Sequence, residues 1–89
     1  MIEKEILIIN KLGLHARAAA KFVSCASGFQ SDVKLSRNGR SVNGKSIMGV
    51  MMLAAAKGTS VNLIVEGPDE ESTMEGIELL VLNRFGEVE

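Results

Sequence analysis

The chain has 89 residues, with eleven acidic and ten basic side chains and a formal net charge of −1. This length is enough for one domain, which we place at residues 1–89, and too short for two. The charge balance argues against a general nucleic-acid binder, which usually carries a basic excess or a basic stripe.

The first third of the chain predicts a strand followed by a helix. Residues 2–9 predict a strand, with Ile2, Ile6 and Ile8 on one face, Lys4 among them, and Glu3 and Glu5 on the other. The segment Gly13-Leu14-His15 interrupts the pattern. From Ala16 to about Ser27, alanine and valine recur at spacings of three and four residues, which predicts an amphipathic helix that Gly28 is suited to end.

A hairpin and a short helix follow. Residues 31–37 and 40–42 flank Asn38-Gly39, a strong hairpin signal because both turn residues must tolerate positive φ. Ser46 is a favourable N-cap for a short helix from Ile47 to about Ala55. Lys57-Gly58 provides a basic residue and a glycine suited to the end of that helix.

The last third predicts a strand and a closing helix. Residues 60–66 alternate clearly, and Gly67-Pro68 turns the chain. Asp69 is suited to cap a helix whose first turn carries two glutamates, which favour the helix dipole. The apolar stripe of this helix contains Met74, Ile77, Leu80 and Val81.

The element order is therefore β-α-β-β-α-β-α. A hairpin and few long crossovers favour an α+β fold, with two layers, a mostly antiparallel sheet, helices on one face and solvent on the other.

The cysteine, histidine and apolar content argues against disulfide-bonded, zinc-binding, secreted and membrane-spanning proteins. Cys25 and His15 are the only residues of their types, so an internal disulfide and a Cys/His zinc cluster are both excluded, and we expect no metal. We expect Cys25 to be a buried, inert thiol. The N-terminus is charged where a secretory signal needs an apolar segment, and no apolar run approaches the roughly 20 residues that span a bilayer. We therefore expect a cytoplasmic protein that does not contact membranes.

His15 is a candidate phosphoryl acceptor. It immediately precedes a helix, whose first backbone N–H groups and dipole favour an anion, and Arg17 adds a guanidinium suited to phosphate oxygens. Imidazole is also a competent nucleophile near neutral pH. The alternative is a helix-capping or surface histidine beside an ordinary exposed arginine. Local physics alone favours this second interpretation, because single histidines are common and no partner is visible in the sequence.

The segment 39–46 permits two functional interpretations besides helix capping. A phosphoserine at position 46 would be tolerated at a helix N-terminus, so Ser46 is a candidate regulatory site. Residues Gly39 to Ser46 also fit the nucleotide-binding pattern G-x-x-x-x-G-K-[ST]. The context opposes nucleotide binding, because the first glycine belongs to a hairpin turn and a P-loop needs a preceding parallel strand.

The second helix is too apolar for its length. Ile47, Val50 and three methionines cannot all be buried by so short an element, so about half should form an exposed, adaptable patch suited to several partners.

Three segments resemble one protein family. Residues 13–19 (Gly-Leu-His-Ala-Arg-Ala-Ala) are similar to the active-site segment of HPr, the histidine-containing phosphocarrier of the bacterial phosphotransferase system. Residues 44–51 (Gly-Lys-Ser-Ile-Met-Gly-Val-Met) resemble the second signature of that family, and the ending 83–87 (Asn-Arg-Phe-Gly-Glu) is similar to that of many members. The resemblance covers essentially the whole chain without insertions.

The resemblance implies a fold and a mechanism. The fold has four antiparallel strands, with three helices on one side. Nδ1 of His15 would accept a phosphoryl group from phosphorylated Enzyme I and pass it to an enzyme IIA protein, with no cofactor and no turnover of its own. Arg17 and the backbone N–H groups of residues 16–18 would hold the phosphate, which suffices because phosphoryl transfer needs mainly positioning and charge stabilisation.

The resemblance also implies regulation and docking. Ser46 matches a serine modified by HPr kinase/phosphorylase in some bacteria, and its state could govern contact with a transcriptional regulator. A monomer is expected, because the binding face must stay free. The docking surface for donor and acceptor would contain Ala20, Lys45, Ile47, Met48 and Met51.

One position departs from the family pattern. Many members have proline directly after the active-site arginine, where this chain has Ala18. Proline in the first turn fixes φ without removing a needed N–H, so Ala18 should give a slightly less rigid helix start. The departure leaves open whether the chain is a sugar-transport carrier or its nitrogen-related paralogue.

Overall fold

The computed structural model describes residues 1–53 and 55–88 of the chain. Its elements follow the predicted order, with one additional short turn of 3₁₀ helix after the last α-helix. The elements are β1 (Ile2–Leu7), α1 (Ala16–Ser27), β2 (Asp32–Arg37), β3 (Arg40–Asn43), α2 (Ile47–Met52), β4 (Ser60–Glu66), α3 (Glu70–Leu82) and the 3₁₀ turn (Arg84–Gly86).

The four strands form one antiparallel sheet in the order β1-β4-β2-β3. Strand β4 lies between β1 and β2, so that Leu63 pairs with Lys4 on one side and with Leu35 on the other. The β2–β3 hairpin turns at Asn38 and Gly39, whose φ angles are 52° and 78°, which confirms the predicted turn. This architecture confirms the predicted α+β sandwich.

The core lies between the sheet and the helices. The alternation of β4 places Val61, Leu63 and Val65 on the buried face. These side chains meet residues from α1 and α3, including Phe22 and Ile77, both almost fully buried. Because the core contains few aromatic residues, it is packed mainly from branched aliphatic side chains and alanine.

Several strand boundaries differ by one or two residues from the prediction. Strand β1 ends at Leu7 rather than at residue 9, because the backbone of Ile8 bonds to the loop residues Gly58 and Thr59 and no longer to β4. Strand β2 begins at Asp32 rather than at residue 31. Strand β3 extends one residue further, to Asn43.

Helix α2 is shorter than predicted. It ends at Met52, and the expected continuation to residue 55 crosses residue 54, which lies outside the described residues. The carbonyl of Met52 accepts a bond from Arg40 Nη1 at 3.1 Å, and that of Leu53 accepts one from Arg37 Nη1 at 2.8 Å. These bonds satisfy carbonyls at the end of α2. Residues 55–56 are not helical and Lys57-Gly58 lies in a separate turn, so the prediction that Lys57-Gly58 ends the helix is wrong.

Gly28 and Asp69 lie at the predicted helix ends, but their backbone conformation or hydrogen bonding differs from the prediction. Gly28 ends α1 in the right-handed region, at φ −76°, rather than in a left-handed cap. Asp69 is the residue before α3, but its side chain makes no cap bond, so the predicted side-chain cap is wrong. Its carboxylate instead accepts bonds from Gln30 and Ser31, which joins the start of α3 to the start of β2.

Residues 1–53 and 55–88 contain no candidate membrane-spanning helix. None of their helices is both long enough and apolar enough to cross a bilayer.

Candidate functional site

His15 lies directly before helix α1, at the predicted position. Its backbone is extended (φ −74°, ψ 179°), and its carbonyl accepts the N–H of Ala19 at 2.8 Å, the first bond of the helix. The imidazole does not cap the helix and is 28% exposed. The capping interpretation of His15 is therefore wrong, and the ring remains accessible to a reactant.

The helix start offers free hydrogen-bond donors. Within the described part of the chain, the N–H groups of residues 16, 17 and 18 have no acceptor. They lie at the positive end of the helix dipole, which favours an anion. Arg17 is exposed, and its guanidinium makes no ion pair with any described residue. These groups could all contact a phosphoryl group carried by the adjacent imidazole.

Glu87 also belongs to the site, and sequence reasoning assigned it no role. Its Oε2 lies 2.5 Å from His15 Nε2, and its Oε1 accepts a bond from Asn10 Nδ2 at 2.9 Å. The bonds from Asn10 and His15 lower the pKa of the Glu87 carboxyl below its usual value, so it is ionised near neutral pH. Glu87 and His15 are 72 positions apart, so no local pattern could have paired them.

The loop before His15 is shaped by glycine. Gly13 has a φ of 68°, and a side chain there would collide with the backbone of residues Ala55 and Ala56. This close approach allows Leu14 N–H to donate to the Ala55 carbonyl at 2.9 Å. The loop is thereby fixed against the segment after α2, which holds the start of α1 in place.

The segment after α3 is anchored beside the same site. Phe85 is fully buried, and its carbonyl accepts a bond from Lys21 Nζ at 2.6 Å. The cleft next to His15 is lined by residues from three parts of the chain: Lys11, Leu12, Arg17, Lys21, Gly86, Glu87 and Val88. Arg17 and Glu87 therefore share one cleft, as two charges of opposite sign.

Ser46 occupies the N-cap of α2, as predicted. Its Oγ accepts the N–H of Gly49 at 3.1 Å, so the side chain has a structural role. The apolar patch predicted on α2 is also present, while Val50 is fully buried in the core. The patch consists of the exposed residues Ile47, Met48, Met51 and Met52.

The two remaining docking candidates differ in their surroundings. Ala20 is exposed on α1, which packs directly against α2. Lys45 is half-buried, and its ammonium donates to the carbonyl of Phe29 at 2.9 Å. The Lys45 charge is thus held at the end of α1, and the structure does not bring it into the patch on α2.

The nucleotide-binding interpretation of residues 39–46 is contradicted by the fold. Gly39 lies in the hairpin turn, and β3 runs through the segment that would have to form the phosphate loop. All strand pairs are antiparallel, whereas a P-loop follows a parallel strand.

The remaining candidates for reactive chemistry are metal-binding groups and the thiol of Cys25. Among the described residues, no group of three or more histidine, cysteine or acidic side chains could hold a metal ion. Cys25 is only partly buried, in contrast to the prediction, and burial raises the pKa of its thiol. A raised pKa keeps the thiol protonated and unreactive, as expected.

Comparison with known proteins gives one consistent result. Residues 2–83 match the family model described as "PTS HPr component phosphorylation site". The chain is 57% identical to the phosphocarrier protein HPr of Cupriavidus necator and 54% identical to that of Neisseria meningitidis serogroup A, in both cases over the full length of both chains.

Solved structures agree with these sequence relatives. The structure of HPr-C-His from Thermoanaerobacter tengcongensis superimposes with a TM-score of 0.94 at 46% identity, covering 98% of each chain. That of the phosphocarrier protein HPr from Bacillus anthracis gives 0.86 at 39% identity, covering 90% of this chain and 95% of the other. These values confirm the resemblance noted in the sequence and the open-faced sandwich with three helices.

Proposed function

The chain belongs to the HPr family of phosphocarriers of the bacterial phosphotransferase system, and on that premise we propose that His15 is the residue that carries its phosphoryl group. As an HPr phosphocarrier it is a component without catalytic turnover. The observation that supports His15 is its position: an accessible imidazole beside three backbone N–H groups that have no acceptor among residues 1–53 and 55–88.

The proposed step needs little from the carrier. Nδ1 of His15 attacks the donor phosphorus, while Arg17 and the N–H groups of residues 16–18 bind the phosphoryl oxygens. Phosphoryl transfer proceeds mainly through positioning and charge stabilisation, which a helix start and one arginine can supply.

Phosphorylation by Enzyme I tests this role. The chain is incubated with Enzyme I and phosphoenolpyruvate, and the product is examined by intact mass and acid treatment. We expect one phosphate that is labile in acid and stable in base. His15→Ala should accept none, and Arg17→Ala should accept it more slowly with the fold intact. Equal phosphorylation of His15→Ala would contradict the assignment.

The partners follow from the family. We propose phosphorylated Enzyme I as donor and an enzyme IIA protein as acceptor, both docking on Ala20 and on the exposed apolar residues Ile47, Met48 and Met51. One shared surface beside His15 suits a carrier that visits its partners in turn. The chain then acts in the cytoplasm as a monomer and a single domain of residues 1–89, without a cofactor.

Regulation at Ser46 is a second proposal. Ser46 lies at the start of α2, whose exposed residues form the proposed docking surface. A phosphate there would add negative charge to this surface without opposing the helix dipole. Its consequences would be weaker docking of Enzyme I and altered contact with HPr kinase/phosphorylase or a transcriptional regulator.

Modification by HPr kinase/phosphorylase tests the regulatory role of Ser46. The chain is incubated with HPr kinase/phosphorylase and ATP, and the modified residue is mapped by peptide mass. We expect a single phosphate on Ser46 and none in Ser46→Ala. Unmodified Ser46 under conditions in which a known substrate is phosphorylated would exclude this route.

A further inference from the structure

The carboxylate of Glu87 contacts the imidazole of His15 at Nε2, the ring nitrogen that is not the proposed phosphoryl acceptor. His15 Nε2 lies 2.5 Å from Glu87 Oε2, and Glu87 is only 14% exposed. A neutral imidazole can hold its proton on either nitrogen, whereas an ionised carboxylate can only accept. Nε2 must therefore carry the proton and donate it to Glu87, which leaves the lone pair on Nδ1.

Glu87 is held in place by a buried amide. Asn10 is fully buried, and its Nδ2 donates to Glu87 Oε1 at 2.9 Å and to the Gly13 carbonyl at 2.9 Å. Both amide hydrogens are used on acceptors, so the reversed amide would place its oxygen against two other oxygens. Asn10 thus connects Glu87 directly to the loop that precedes His15.

The amide of Asn10 is held at an energetic cost. Its Oδ1 is buried without a hydrogen-bond partner among the described residues. An unsatisfied buried polar atom is destabilising, and an apolar side chain would avoid that cost. The two donated bonds of Asn10 are therefore made at a cost in stability that an apolar residue would not carry.

The backbone that brings Glu87 to His15 is strained. Arg84 and Phe85 have φ angles of 53° and 55°, in the left-handed region that non-glycine residues rarely adopt. Burial of Phe85 and the bond from Lys21 to its carbonyl stabilise this strained turn. This turn directs the chain back over the start of α1, where Glu87 reaches the imidazole.

We propose that Glu87, fixed by Asn10, is a positioning residue that selects Nδ1 of His15 as the phosphoryl acceptor and retains the proton on Nε2 throughout transfer. This inference rests on the proposed role of His15.

The same contact serves both directions of transfer. The Nδ1 lone pair forms the new N–P bond, while the donor N–P bond breaks and its electron pair returns to the donor nitrogen. When the donor is a phosphohistidine protonated on its other nitrogen, it leaves as a neutral imidazole, and the positive charge passes to the phosphorylated ring of His15. Glu87 stabilises that charge, and the retained proton makes His15 a good leaving group in the next step.

Ring-nitrogen NMR of the unphosphorylated, ¹⁵N-labelled protein tests the tautomer directly. At alkaline pH we expect the Nε2–H form to dominate in the unsubstituted chain. In Glu87→Gln the Nδ1–H form should increase severalfold, because the amide can donate to Nε2 as well as accept from it. Identical ring shifts in both proteins would overturn the proposal, and this readout is independent of any phosphoryl transfer.

Transfer kinetics provide the second readout. Glu87→Gln should slow phosphoryl acceptance from Enzyme I roughly tenfold or more, the factor expected for loss of a charge-assisted bond. Glu87→Asp should restore part of the rate, whereas Glu3→Gln, which removes the same charge from exposed β1, should leave it unchanged.

The two hypotheses fail differently in this assay. If the unsubstituted chain itself accepts no phosphate on His15, the proposed function is wrong. If it accepts phosphate and Glu87→Gln does so at the same rate, only the positioning role is wrong. Backbone amide spectra establish that each variant is folded.

Discussion

At the scale of single residues, Asp69 shows how a local signal can have a non-local use. The residue precedes α3, as a capping aspartate would, but its carboxylate accepts bonds from Gln30, Ser31 and Thr73. Capping and this network require the same residue type at the same position. Only the tertiary contact with the start of β2 distinguishes them, and a sequence pattern does not contain it.

The Asp69 network predicts a pH dependence of stability. Bonds to the carboxylate, first among them that from the Ser31 hydroxyl, lower the pKa of Asp69 to about 2 from an ordinary value of 3.8. A lowered folded-state pKa stabilises the protein above the unfolded value, and this contribution is lost as the pH falls from about 4 towards 2.

Thermal unfolding of Asp69→Asn checks this window. The variant should melt several degrees below the unsubstituted chain at pH 7, and the two melting temperatures should converge between about pH 4 and pH 2. A difference that stays constant down to pH 2 would show that the Asp69 charge does not stabilise the fold. Asp32→Asn, an exposed aspartate at the start of β2, is the control for loss of one carboxylate.

The candidate site shows the same limit of prediction. His15 and Arg17 stand within three positions of each other at a helix start, so their sequence context suggested their chemistry. Glu87 reaches them only through a left-handed turn at Arg84 and Phe85, a conformation that these residue types disfavour. The backbone preferences of Arg84 and Phe85 therefore disfavour the turn that brings Glu87 to His15.

At the scale of elements, the short helix α2 illustrates which boundaries are predictable. Its start was predicted correctly, because Ser46 caps it with its own side chain. Its end was not, and there arginines from the β2–β3 hairpin donate to the carbonyls of Met52 and Leu53. A cap within the helix sequence is visible in a pattern, whereas a cap supplied by another element is not.

Removal of the Ser46 cap should destabilise the protein moderately. Ser46→Ala loses the bond to the Gly49 N–H, which costs about 1 kcal/mol at a helix N-cap. Ser46→Asp retains an acceptor and should remain close to the unsubstituted chain. Denaturant titration measures the difference. A Ser46→Ala variant of unchanged stability would mean that solvent replaces the cap without cost.

Proline at position 18 should strengthen the start of α1. The N–H of Ala18 has no acceptor among the described residues, so proline removes no existing bond, and its fixed φ reduces the entropy of the unfolded chain. We expect Ala18→Pro to gain about 0.4–1 kcal/mol in the free energy of unfolding. Ala18→Pro also removes the N–H of residue 18, one of the three proposed to bind the phosphate. Phosphoryl acceptance should still persist, because the N–H groups of residues 16 and 17 and the Arg17 guanidinium remain, and many members of the family carry this proline.

The burial of Ala18 could reduce or reverse the gain in stability expected for Ala18→Pro. Its side chain is fully buried, and the proline ring needs additional room there. A loss of stability in denaturant titration would therefore show that the packing around α1 excludes the ring. Ala16→Pro, at an exposed position in the same turn, separates the backbone effect from the packing effect.

At the scale of the whole molecule, the two layers were predictable and the order of strands was not. Alternation assigned the buried face of β4, and the hairpin with few long crossovers indicated a mostly antiparallel sheet. The central position of β4, the last strand in the chain, depends on contacts between distant segments. Pattern and propensity describe each strand alone and leave its neighbours undetermined.

The structure leaves an apolar patch exposed on α2, which packs against α1, the helix that begins directly after His15. Met48 is 71% exposed on α2, and Leu79 is 59% exposed on α3. Both are large apolar residues in solvent, but only Met48 belongs to the proposed docking surface. They therefore form a matched pair for separating docking from stability.

Met48→Asp should impair transfer from Enzyme I and transfer to an enzyme IIA protein alike. An aspartate in the first turn of α2 favours the helix dipole, so stability should change little, whereas a charge buried in an apolar interface weakens docking. We expect both rates to fall roughly fivefold or more at subsaturating partner, the effect of losing a central contact. Leu79→Asp should leave both rates unchanged. If Met48→Asp slows only one transfer, donor and acceptor bind different surfaces, and the single shared surface proposed for the carrier is wrong.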